Sequence, residues 1–252
     1  MKKRTKKTIS VAVKVFTRLL LATILCAVLW LSMEVITFAI FKQEVGYQIF
    51  DRANMNAKPI EHYYSSGEVI QTADSLNINP ETQYFKQILE VPAGAKTVMG
   101  VISQILLFII FCIFPYHILW EFGNRDDTNV RYRGQRPDPK RGFKIGLLAM
   151  IPTAACWLIL VVSKFVPILA NFFAFYRVIN IPYWYYNDFV CGGATSIAYI
   201  ELWQLLLLLP AFLLVPLTCA IAYRMGGNQF SISEFLTFAK KKQPSAEEDD
   251  EI

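Results

Sequence analysis

The chain has two histidines, and these, its five cysteines and its acids fall into no zinc-ligand spacing, which removes the familiar structural and catalytic zinc sites. Cys26, Cys112, Cys156 and Cys219 lie in apolar segments, where cysteine behaves as a small apolar residue. Cys191 is the one cysteine expected outside them. It therefore lacks an intrachain disulfide partner and is left with an intermolecular bridge as its one pairing. No Asn-x-Ser/Thr acceptor occurs, so nothing marks a glycosylated ectodomain. Charged residues make up 18% of the chain, and no motif specifies a reaction, a substrate or a cofactor, so none is expected to be bound.

Apolar sequence is what the chain has in quantity. Hydrophobic residues reach 54% and mean hydropathy is +0.36, too apolar for an ordinary soluble domain. Four runs, 15–41, 98–120, 145–169 and 197–223, each exceed the roughly 20 residues that cross a bilayer as a helix. The fold class is therefore all-α: a polytopic membrane protein with four transmembrane helices and short interfacial helices. It is read as a single integral membrane domain, 1–252, because the longest connection, 42–97, lacks a strand pattern able to build a separate one. The basic leader Lys2, Lys3, Arg4, Lys6 and Lys7 precedes an apolar run about twice the length of a signal-peptide core, which predicts an uncleaved signal anchor.

Basic residues resist transfer across the membrane, and the 25 here are unevenly placed. Eighteen fall in the N-terminal arm, in 121–144 and in the tail 224–252, against seven on the other side: five in 42–97, with Lys164 and Arg177. The termini are expected in the cytoplasm, with 42–97 and the aromatic connection 166–196 outside. The net charge of +5 follows from this topology and implies no nucleic-acid partner.

Within the outer loop, Asn79-Pro80 followed by Glu81–Glu90 and then Pro92 and Gly94 reads as a short interfacial helix. Asn187-Asp188 with Gly192-Gly193 reads as a tight turn into the fourth span. Asn124–Lys144, interrupted by Pro137 and Pro139, reads as an extended basic loop. Its Arg131, Arg133, Arg136, Lys140 and Arg141 are candidate contacts for anionic headgroups. Asp126-Asp127-Thr128-Asn129 lacks the glycine and terminal glutamate of a calcium loop. In the tail, Ser231 and Glu234 form a capping pair for a short amphipathic helix. Lys240, Lys241 and Lys242 on that helix are further candidate headgroup contacts, and Glu247–Glu251 is an acidic end.

Tyr223-Arg224-Met225-Gly226, followed by Ser231-Ile232-Ser233-Glu234 and the lysine cluster, is similar to small bacterial multi-pass membrane proteins of unknown function. The similarity covers the last quarter of the chain. It implies a bacterial cytoplasmic membrane and brings no functional residue with it.

One constellation stands out by depth. At about 1.5 Å per helical residue, Glu34, Gln104, Glu201 and Gln204 lie about 6–10 Å inside the outer boundary, and Lys164 sits near the outer end of the third span. A carboxylate in hydrocarbon is costly, so these five are expected to face one another as an ion-paired plug, or to face a wet pocket. Deeper in the spans, 105–114 and 205–217 are almost wholly apolar, which leaves no relay for ions or protons. The expected function is a non-enzymatic accessory or scaffold subunit beside a membrane-protein partner. A subunit of a small-molecule permease or export system is the alternative, and an intramembrane enzyme the third reading.

Overall fold

The computed structural model describes residues 2–51, 60–63, 83–134 and 138–229. Arg136, the tail helix with Lys240, Lys241 and Lys242, and Asn79-Pro80 lie outside the described residues. The chain forms two compact units, Met1–Cys26 with Leu107–Ile252, and Ala27–Leu106, and the division falls inside two long helices. The protein is mostly helical. Three helices are long and apolar enough to cross a membrane, or four if one bent pair is a single span.

In the first unit, helix α1 (Lys2–Phe41) buries Ala12, Val15, Leu19, Ala22 and Cys26. Steps of three and four residues keep these side chains on one face of a helix. Val13, Leu20, Ile24 and Leu25, on the remaining surface, stay exposed, as lipid-facing residues do. Helix α2 (Ala93–Arg133) repeats the pattern with Leu119, Phe122 and Asp126 buried. It also runs well past the apolar segment, so the extended loop expected from Asn124 is corrected: its first ten residues are helical. Glu121 pairs with Arg125 and Asp127 with Arg131 at the i,i+4 spacing that supports an exposed helix. Arg131 and Arg133 meet the negative end of the helix dipole.

The third apolar segment is broken. Helices α3 (Arg141–Ala149) and α4 (Ile151–Ser163) meet at Met150 with a bend of 47°. Pro152 has no N–H to continue the ladder and its ring crowds the preceding turn. Short α5 (Phe172–Ile179) and α6 (Trp184–Val190) fill the aromatic connection. Gly192 and Gly193 then turn the chain at φ of 62° and 71°, which a side chain disfavours. The last segment comprises α7 (Leu202–Leu207), α8 (Leu209–Phe212) and α9 (Leu214–Gly227), interrupted at Leu208 and Leu213 around Pro210. Leu160, Phe173, Tyr176, Ile197, Ile200, Leu205 and Leu208 form a buried cluster joining α4, α5 and α7.

In the second unit the connection after α1 contains a sheet. Strands β1 (Gln43–Asp51), β2 (Ile60–Tyr63) and β3 (Gln83–Glu90) form an antiparallel sheet in the order β2-β1-β3. This corrects the expected helix over Glu81–Glu90 and the expected lack of strands. Gly46 lies opposite Ile88 and Phe50 opposite Tyr84, while Val45 bulges out of register. The Phe50 and Tyr84 rings stack at 5.0 Å, Gln87 donates to Glu44 at 2.7 Å and Gln48 to Glu61 at 2.7 Å. A ten-residue helix is marginal alone, and these cross-strand pairs outweigh its capping signal.

Candidate functional site

Among the described residues, the most enclosed charges lie at the basic end of the first unit. Asp126 continues the buried face of α2 one turn beyond Phe122, and Arg141 opens α3. The two form an ion pair, Arg141 Nη1 to Asp126 Oδ2, with side chains only 3% and 9% exposed. Tyr223 of α9 donates its hydroxyl to the same carboxylate oxygen at 2.8 Å, and Arg141 Nε donates to Thr8 Oγ1 of α1 at 3.2 Å. The guanidinium also lies over the Phe122 ring, 4.7 Å from its centre, with Lys7 Nζ over that ring at 5.5 Å. One ion pair thus gathers side chains from α1, α2, α3 and α9.

Glycines make this convergence sterically feasible. A Cβ on Gly226 would lie 1.9 Å from the Trp120 carbonyl oxygen, and one on Gly123 2.1 Å from that of Tyr223, so α2 and α9 touch backbone to backbone. Gly142 and Gly146, spaced as Gly-x-x-x-Gly, admit Tyr223 Cβ and Pro216 Cα against α3 in the same way. Lipid supplies no hydrophobic drive between helices, so such close approach is a main source of packing energy within a bilayer.

This arrangement takes Arg141 out of the set of headgroup-facing cations, because its charge is spent inside the protein. Arg131, Arg133 and Lys140 are exposed. The depth constellation divides between the units. Glu34 and Gln104 are half-buried in the second unit, each with an interaction partner. The other three lie in the first unit and bond to groups around the turn that leads into α7. Lys164, at the C-terminal cap of α4, donates to the carbonyls of Ala198 at 2.8 Å and Ile197 at 3.2 Å. Glu201 caps α7 reciprocally with Gln204 and accepts from the Trp203 indole. Gln204 Nε2 reaches the Val190 carbonyl at 3.0 Å. Their polarity is absorbed by helix ends and turns.

A second ion pair sits in the aromatic connection. Arg177 bonds Asp188 at 3.0 Å, with its guanidinium over Trp184 at 4.1 Å. Burial pushes the nearby Cys191 thiol up to about 11, reinforced by Asp188 and opposed by Arg177, so at neutral pH it is protonated and enclosed. That argues against Cys191 as an intermolecular bridge. Among the described residues, no three His, Cys, Asp or Glu side chains form a metal-holding group.

Reading the sequence by depth passed over Asp126, Tyr223 and Thr8. The available signals were the spacing Leu119, Phe122, Asp126, which continues an apolar face into an acid, and the Gly142-x-x-x-Gly146 pattern that follows the basic segment. No protein-family model, curated protein or solved structure matches the chain.

Proposed function

We propose that the protein is a non-enzymatic accessory or scaffold subunit of a membrane complex. The observation carrying this reading is how the bonded charges of its first unit are used. Arg141 and Asp126 tie four helices together, Lys164 and Glu201 cap helix ends, and Arg177 and Asp188 brace the aromatic connection. Groups spent on holding geometry suit a part whose surface is its product. Purification of the full chain from its own membrane in mild detergent should then yield a fixed stoichiometric membrane-protein partner. If the chain is instead monodisperse alone, and carries small-molecule flux when reconstituted alone, the permease reading replaces this one.

The same proposal places four spans in a bacterial cytoplasmic membrane with both termini inside, supported by the basic distribution and by the bent α3–α4 pair taken as one span. Single cysteines placed at Phe189, beside Asn187 and exposed, should react with an impermeant maleimide in intact cells, and those at Arg133 should react after lysis. The reverse pattern would overturn the orientation.

A further inference from the structure

The bend between α3 and α4 opens a groove of about 500 Å³ whose lining is almost entirely apolar. Leu147, Met150, Ile151 and Ala154 make one wall, and the interrupted stretch from Leu206 to Leu213, around Pro210, makes the other. The groove is open to one side and lies wholly within the first unit.

What distinguishes it from a plain lipid-facing crevice is the helix face leading into it. Lys140, Lys144, Leu147 and Ile151 follow one another at steps of four, three and four residues, so they form one stripe along α3 into α4. All four are exposed. Arg141 is turned inward onto Asp126, which leaves Lys140 and Lys144 as the outward cations of this helix end. Among the described residues Lys144 pairs with one acid, Asp138 at 3.6 Å; at 58% and 31% exposure this pair is open to water and weak. Lys144 precedes Met150 by six residues, about 9 Å of helix, which suits the offset between a lipid phosphate and the upper part of its acyl chain.

We propose that this groove and its two lysines form a binding site for one anionic phospholipid, an acyl chain lying against Leu147, Ile151 and Ala154 and the headgroup phosphate meeting Lys140 and Lys144. The two parts of the stripe match the two parts of an amphiphile in order and in charge. Apolar contact holds a phospholipid of any headgroup, and the lysines select the anionic ones. The site stands whether or not the chain serves as an accessory subunit.

Native mass spectrometry of the full chain in detergent tests this with phosphatidylglycerol and phosphatidylcholine of equal chain length. The wild type should retain the anionic lipid preferentially, by about fivefold for each contributing lysine. Lys140→Gln with Lys144→Gln should equalise the two lipids, and Ala154→Phe should reduce both. Leu158→Phe, on an exposed face outside the groove, should change neither. The proposal is overturned if the wild type binds both lipids equally, if the double lysine variant keeps the preference, or if folded Ala154→Phe retains both as the wild type does. Should Ala154→Phe fail to fold, the exposed lysine pair decides the matter.

Discussion

Arg141→Met should destabilise the protein by about 3–5 kcal/mol, while the same change made together with Asp126→Leu should cost much less. The single substitution leaves the Asp126 carboxylate enclosed without its counter-charge, because α2, α3 and α9 are held too close by Gly123, Gly142 and Gly226 for water to replace the guanidinium freely. The double variant removes both charges and leaves the Tyr223 hydroxyl without its acceptor, a residual cost of about 1–3 kcal/mol. Adding Tyr223→Phe should recover most of that remainder. Thermal or denaturant unfolding of detergent-solubilised protein gives the cycle. A loss below about 1 kcal/mol for Arg141→Met, or additive losses in the double variant, would mean that the pair is hydrated and does not tie the helices.

This ion pair also shows where the sequence was legible and where it was not. The long helices were legible because burial in each follows from spacing along that helix alone, as with Ala12, Val15, Leu19, Ala22 and Cys26. The break before Pro152 was foreshadowed by the proline itself. Yet Pro115 sits inside α2 without ending it, since a kink depends on what neighbouring helices allow. Strand β3 was not legible, because Gln83–Glu90 follows the helix-capping pair Asn79-Pro80 in sequence and is a strand through its pairing with β1.

The candidate charges divide in the same way. Depth along each span grouped Glu34, Gln104, Lys164, Glu201 and Gln204 as one layer; in the structure Lys164 bonds the backbone of the turn before α7, and Glu201 bonds Gln204 at its start. Depth says nothing of which backbone groups need a cap, so Lys164's carbonyl partners and Glu201's role at the helix start were hidden. Arg141 was grouped with its exposed basic neighbours because sequence order carries no inside or outside for a single residue at a helix start. Asp126 was weighed only as a calcium ligand, although its position on the face of Leu119 and Phe122 marked it as inward.

Gly226→Ala should prevent folding or destabilise the protein by about 3 kcal/mol or more, although it adds one methyl group. In an exposed helix this change is favourable by roughly 1 kcal/mol, because alanine loses less backbone freedom. Here the added carbon would lie 1.9 Å from the Trp120 carbonyl oxygen and 2.7 Å from its carbon. These are backbone atoms of α2, with no side-chain rotamer to absorb the clash, so the two helices must part. Parting them withdraws Tyr223 from Asp126 and loosens the α3 contacts at Gly142 and Gly146, which rest on the same face of α9. Gly94→Ala provides the opposite case in the same protein. It lies in the first turn of α2 with nothing within 4 Å of the added carbon, and should leave the melting temperature unchanged or raise it. Measured side by side in detergent, Gly226→Ala should melt well below the wild type and Gly94→Ala should not. A Gly226→Ala protein that melts with or above the wild type would show that α2 and α9 do not meet backbone to backbone, and the ion pair would then lack the close packing that encloses it.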